Sequence, residues 1–360
     1  MKKNSLASIE LAAIINELQF LKKGKLSQIY HQDQELLLQL HAPGHGKQLL
    51  KIVPGKLLCL TADKYPPARP SGFCQQLRKY LDQAFIKDIY QQDAERIVVF
   101  QLEKPETYYL IIELFSKGNV ILADAQWMAI GVLEQQLWKD RSVKAKHSYT
   151  FPSPGINWKI ISLPDFEKIL KKSDKKNIAT TLATEINLGG AYAEEICIRA
   201  NVDKNKTALV LDSKQIKMLY SELKEVQQQI KQPRGYVYDE QIIPFPLIGL
   251  KPLKITETYN EAVNLLKPFQ QTSPFDKKIA NLQRIAAEQQ EAINVLKEKI
   301  VINKKKGELL YERYASLQKL IEIVAVLKKT KTWTEIASEL RQEKRIKAVN
   351  LKTKTIVIDL

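Results

Sequence analysis

From Ile279 to Val324, apolar residues return at alternating steps of three and four. Ile279, Leu282, Ala286, Ile293, Leu296, Ile300, Leu310, Tyr314, Leu317, Ile321 and Val324 share one seam, interrupted by Gln289, Asn303 and Gly307. That spacing is the heptad of a coiled coil. A helix running through it is roughly 75 Å long at about 1.5 Å per residue, too long to sit inside an ordinary core. The chain is therefore expected to divide into a packed part before about residue 273 and an elongated arm after it. The polar and glycine interruptions predict a bend or an end near Lys304-Lys305-Lys306-Gly307.

Charge follows the same division. Residues 271–360 hold 19 Lys plus Arg against 11 Asp plus Glu, half of the chain's net excess of +16. A basic excess favours polyanions through counterion release, and nucleic acid is the common intracellular polyanion. The competing explanation is a genome-wide bias toward lysine. Cys59, Cys74 and Cys197 are widely separated with no CxxC pair, so neither a disulfide framework nor a zinc site is expected, and a reducing compartment fits. His31, His41, His45 and His147 form no metal-ligand pair, and no phosphate-binding glycine loop, nucleophile elbow or dinucleotide pattern is present. We expect no cofactor, no metal and no catalysis. No run of eighteen apolar residues occurs, and the start MKKNSLASIEL lacks an apolar secretion core, so a cytoplasmic location without membrane contact is expected.

Before the arm, the first apolar pattern (Leu11, Ile14, Ile15, Leu18) reads as an amphipathic helix with Ser8 as its N-cap. Short strands follow at 26–31, 35–41, 48–53 and 56–61, then at 107–115, 119–124 and 128–134, separated by turns such as Pro54-Gly55 and Ser116-Lys117-Gly118. Between the two groups lies an unusual stretch. Pro66, Pro67 and Pro70 open onto a helix whose apolar face is Phe73, Leu77, Tyr80 and Leu81, with Arg78 and Lys79 opposite, and a hairpin follows from Phe85 to Phe100. Glu95 and Arg96 stand where its turn enters the second strand, the way loop-mounted binding residues are presented. A solvated turn with a local ion pair is the plainer reading. The pattern predicts an α+β domain on a mostly antiparallel sandwich over residues 1–154.

Residues 155–232 turn helical, with segments at 163–171, 178–188, 191–200 and 213–231. Gly189-Gly190 joins the middle two, as in a helix-hairpin-helix whose backbone amides hold phosphate; an ordinary packing corner reads equally well. Residues 233–272 return to strand and then a helix at 257–269. The arm spans 273–328. A short helix at 333–340 and a hairpin of 346–349 with 355–358 make a small α/β element at 329–360.

Five blocks then carry a resemblance over nearly the whole chain: PPARPSGFCQQLRKYL (66–81), Glu95-Arg96, ELFSKGNVIL (113–122), GGAYAEEICIRA (189–200), and GELLY (307–311) with WTEI (333–336). In that order they resemble the NFACT family, the NEMF- and RqcH-like ribosome quality-control factors, nearest the archaeal type. The resemblance implies a glycosylase-like N-terminal sandwich, a helix-hairpin-helix module and a coiled-coil arm. It implies a factor that binds the large ribosomal subunit carrying a stalled peptidyl-tRNA and recruits tRNA, with possible C-terminal tailing of the nascent chain. Met1-Lys2-Lys3-Asn4 lacks the proline and glutamate of glycosylase chemistry, so base excision is not implied. The family's tRNA-contacting Asp-Arg pair falls on Glu95 and Arg96, a longer carboxylate; Arg69, Arg78 and Lys79 extend that surface, and Lys304, Lys305 and Lys306 are the expected ribosome contacts.

Family members continue into a second coiled-coil arm and an NFACT-R domain, which this sequence lacks. A separate polypeptide supplying that arm, two paired copies, or a fragment would each account for it. The rival expectation is a coiled-coil scaffold or a fibronectin-binding-type adhesin without an RNA role.

Overall fold

The strand signals between residues 25 and 132 become one antiparallel sheet. Its strands are β1 (Lys25–Gln32), β2 (Glu35–Ala42), β3 (Gly46–Val53), β4 (Leu57–Leu60), β5 (Phe85–Gln91), β6 (Ile97–Glu103), β7 (Thr107–Glu113), β8 (Asn119–Asp124) and β9 (Ala129–Val132), in spatial order β4-β3-β2-β1-β5-β6-β7-β8-β9. The computed structural model describes residues 5–64, 70–138, 141–239, 241–266, 274–340, 346–350, 353 and 355–358. They form two units, Met1–Gln270 and Gln271–Leu360.

The halves of the sheet differ in how they are buried. β2 alternates strictly, with Leu36, Leu38, Leu40 and Ala42 inward, the period-2 pattern of a strand with one dry face. β6, β7 and β8 are near-continuous apolar runs because both their faces are covered. One face joins the main core. The other packs Ile97, Val99, Ile111 and Ile121 under Val143 and Tyr149. That covering segment, which includes β10 (Gln136–Leu137) and β11 (Ser142–Val143), is pinned by Arg141. Its guanidinium pairs with Glu113, with side-chain exposures of 9% and 1%, and donates to the Thr150 carbonyl at 2.7 Å. The Tyr149 hydroxyl donates to the same carboxylate at 2.9 Å.

The β1–β5 register is a single pair, Lys25 with Phe85. At the far side the two halves meet again through main chain alone. Gly55, in the β3–β4 turn, donates its N–H to the Glu113 carbonyl at 3.0 Å. Gly118, in the β7–β8 turn, lies so close that a Cβ on it would fall 1.8 Å from the Gly55 nitrogen. Both have positive φ, +74° each, so glycine is required twice over, by conformation and by space.

Helix α1 (Ser8–Glu17) corrects two expectations. It is buried on all sides from Ser8 to Ile15 instead of being amphipathic, because β5 and α7 (Tyr259–Asn264) both pack on it. Its N-cap is Ala7, whose N–H is capped by Glu10 at 2.8 Å, while Ser8 is the first helical residue and its hydroxyl is used elsewhere. α2 (Gly72–Leu81) packs Cys74, Leu77 and Leu81 against β1 and β9. α3 (Leu163–Lys172), α4 (Ile178–Thr184), α5 (Gly190–Arg199) and α6 (Ser213–Gln229) follow, and their inward residues extend the same core. A small sheet of β12 (Gly235–Val237), β13 (Ile242–Ile243) and β14 (Lys254–Thr256) carries α7 back onto β4. α7 ends at Asn264, short of the helix expected to 269; residues 267–273 lie outside the described residues. Its amides at Tyr259 and Asn260 are capped by Glu17, at 2.6 and 2.8 Å, which satisfies donors the helix itself cannot.

In the second unit, α8 (Pro274–Glu312) runs straight through Lys304–Gly307. The expected break lies instead at Arg313, before α9 (Tyr314–Thr330). One glycine costs a helix only about 1 kcal/mol, and its neighbours here are good helix formers. α10 (Trp333–Leu340) and the hairpin of β15 (Ile346–Asn350) with β16 (Thr355–Ile358) follow as expected. On the seam Leu296, Ile300 and Ile321 are open to solvent, 57%, 64% and 68% exposed, while Leu317 and Val324 are partly buried. Among the described residues no helix is long and apolar enough to cross a membrane.

Three substitutions test this account by urea unfolding. Gly118→Ala should cost about 2–4 kcal/mol, combining positive-φ strain with a main-chain clash. Gly44→Ala, at φ +73° with nothing within 4 Å of its Cβ, should cost only the strain, about 1–2 kcal/mol. Arg141→Met leaves Glu113 buried without its cation and should destabilise by about 3–5 kcal/mol.

Candidate nucleic-acid interface

The turn from Gln92 to Arg96 is tight, with Asp93 at φ +48° and the Glu95 N–H bonded to the Gln92 carbonyl at 2.9 Å. Four outside groups hold it. The Ser8 hydroxyl donates to the Ala94 carbonyl and itself accepts from the Trp158 indole N–H at 2.9 Å. Asn187 Nδ2 donates to the same Ala94 carbonyl at 3.3 Å. Gln91 Nε2 donates to the Glu95 carbonyl at 2.8 Å and to the Ser8 carbonyl at 3.1 Å. Arg96 then enters β6, its carbonyl accepting from Leu114 N at 2.8 Å. A turn fixed from so many directions presents its side chains without further ordering cost.

Glu95 and Arg96 diverge. Glu95 Oε1 accepts the Gly155 N–H at 2.9 Å, tying the turn to the segment that leads into α3. Arg96 lines a cleft of about 660 Å³ walled by four loop segments. The β1–β2 turn gives Asp33 and Gln34, the β3–β4 turn Pro54, Gly55 and Lys56, the β7–β8 turn Ser116, Lys117 and Gly118, and the end of β9 Leu133 and Glu134; Ser5 completes it. Asn119, fully buried, holds the rim at Glu134 by accepting its N–H at 3.1 Å and donating to its carbonyl at 2.8 Å. Burial lowers the Arg96 pKa from its ordinary value, with Glu95 opposing. Among the described residues no hydrogen bond or ion pair holds that half-buried guanidinium. Such a group carries a desolvation cost that an anion would offset.

The other expected residues lie elsewhere. Arg78 donates through Nε to the Ile29 carbonyl at 2.8 Å and sits over the Tyr30 ring, fastening α2 to β1. Lys79 is exposed, with its ammonium 5.5 Å from the Tyr80 ring centre. Neither lines the cleft. Arg69 lies outside the described residues. Lys304, Lys305 and Lys306 are exposed on α8 in the second unit. Sequence reading missed Lys56 and Lys117, although each sits beside a glycine in a turn; nothing along the chain says that turns 60 residues apart touch. Lys159, outside the cleft lining, has its pKa lowered by burial to about 8 against the pull of Asp93 in the Gln92–Arg96 turn. No group of three or more His, Cys, Asp or Glu that could hold a metal occurs among the described residues.

Comparison with known proteins follows the same outline. The archaeal Rqc2 homolog aRqcH of Methanocaldococcus jannaschii is 27% identical over 371 residues, covering 95% of this chain and 55% of that protein. The ribosome quality control complex subunit NEMF of Homo sapiens is 22% identical over 378 residues, covering 93% of this chain and 35% of its own. The chain thus spans about half, or less, of the length of these relatives. Among solved structures, the N-terminal part of the fibronectin/fibrinogen-binding protein of Streptococcus suis superposes with a TM-score of 0.60 at 18% identity, over 72% of this chain and 98% of that one. The fibrinogen-binding protein of Staphylococcus aureus does so at 0.59 and 18%, over 72% and 98%. Residues 8–336 match the family model of the NFACT N-terminal and middle domains, and the chain belongs to that family.

Proposed function

We propose that this chain acts in ribosome-associated quality control. In this reading it binds the large ribosomal subunit with its stalled peptidyl-tRNA and recruits tRNA through the cleft at Arg96. The single observation that carries the tRNA part is the half-buried, unpartnered Arg96 guanidinium, set with Lys56 and Lys117 in one cleft. Relatives named as quality-control subunits support the wider role. The finer architecture belongs to the same reading: a sandwich, a helix-hairpin-helix at Gly189-Gly190, and α8 with α9 as a coiled-coil arm whose Lys304–Lys306 meet ribosomal RNA. In this reading a second helical arm covers the seam, and the site of action is cytoplasmic.

The reading is of a binding protein, not an enzyme. Nucleophile candidates are quiet: burial pushes the Cys59 and Cys197 thiols up to about 12 and raises Cys74. The Glu113 carboxylate is committed to Arg141 and Tyr149.

Names of the structural neighbours keep the adhesin reading as the alternative. Gradient fractionation of cell extract with RNA crosslinking separates the two. Co-sedimentation with the large subunit and recovered tRNA support quality control; absence from those fractions, with binding to immobilised fibronectin, supports the adhesin. Arg96→Ala should weaken tRNA binding about tenfold or more and reduce the salt slope by about 1, with an unchanged unfolding midpoint. Glu95→Gln keeps an acceptor for Gly155 and should bind within about twofold of the parent, whereas Glu95→Ala frees the turn and should weaken binding by about threefold to tenfold.

A further inference from the structure

The Arg96 cleft is not uniformly basic. Lys56, Lys117 and Arg96 come from the β3–β4 turn, the β7–β8 turn and the start of β6, while Asp33 and Glu134 come from the β1–β2 turn and the end of β9. A bare polyanion gains nothing from two carboxylates in its groove. A ligand that joins an anionic group to a hydrogen-bond donor gains from both signs.

Size narrows the choice. About 660 Å³ lies within the roughly 300–1000 Å³ of small-ligand pockets, enough for one nucleotide unit and too narrow for a double helix. Base edges become readable when an unpaired base is splayed out of its strand. Carboxylates accept from exocyclic amino groups, as Asp and Glu do from cytosine N4. Glu95 is an unsuitable reader because its Oε1 is engaged by Gly155. Asp33 and Glu134 are exposed at the rim.

We infer that the cleft takes one unpaired nucleotide of a single-stranded RNA segment, its phosphate between Arg96 and Lys117 and an amino-bearing base edge, adenine, cytosine or guanine, at Asp33 and Glu134. The inference rests on the RNA-binding reading above and adds a base preference to it. Lys117 is a phosphate contact, and the two carboxylates set specificity against uracil, which offers no amino group.

The test uses the full chain and fluorescent six-nucleotide RNAs of A, C or U, a twelve-base-pair RNA duplex, and tRNA, by anisotropy at several salt concentrations. The A and C strands should bind at least about fivefold tighter than the U strand and the duplex. Asp33→Gly with Glu134→Ala removes both acceptors and should erase that preference; glycine also suits the left-handed backbone of Asp33, at φ +53°. Lys117→Ala should weaken all strands alike, about fivefold to tenfold, and lower the salt slope by about 1. Equal binding of the three strands, tighter binding of the duplex, or an unmoved preference in the double variant overturns the inference. If tRNA binding still depends on Arg96 in that case, only the single-nucleotide subsite falls. If Arg96→Ala leaves tRNA binding untouched, the underlying reading falls as well.

Discussion

A helix buried on all sides over its first eight residues needs the polar groups there answered from within the protein, and side chains of α1 reach different parts of the first unit. Ser8 reaches the turn before β6 and the Trp158 indole. Glu10 accepts a hydrogen bond from the hydroxyl of buried Tyr192 in α5. Glu17 caps the two leading amides of α7, and its own pKa is raised by burial in spite of them. Each bond satisfies a group that could find no water, so removing one strands its partner as well. Sheet, helical module and returning segment are thereby fastened to one ten-residue element.

This arrangement explains the division of labour at Glu95 and Arg96. Neighbouring side chains on a turn point apart, and here one faces structure while the other faces the cleft. The carboxylate fixes Gly155, where a Cβ would sit 3.1 Å from Oε1. The guanidinium is left half-buried. Fixing the turn from α1, from the segment before α3 and from Asn187 allows the arginine to be held in place without being bonded to anything itself.

What the sequence disclosed follows from how local each signal is. The β2 alternation, the Gly72–Leu81 helix and the Phe85–Glu103 hairpin read directly, since periodicity and turn residues are properties of adjacent positions. The enclosure of α1 was not legible, because Ser8 and Glu10 look solvent-facing until Ala94 and Tyr192 arrive from distant sequence. Gly307 misled for the opposite reason: a strong local signal with a small energy, outweighed by the helix formers beside it. The cleft was half legible. Arg96 stood out in its motif, whereas Lys56, Lys117, Asp33 and Glu134 become one site only when four loops close on each other.

The contact between Gly55 and Gly118 gives that closure an unusual tolerance. Core spacing depends on side-chain volumes that drift as sequences diverge, so a site mounted on packed side chains drifts with them. Here the distance between the turns bearing Lys56 and Lys117 is set by backbone touching backbone. The cleft can keep its gauge while the hydrophobic interior beneath it is rewritten, provided two positions never acquire a single carbon.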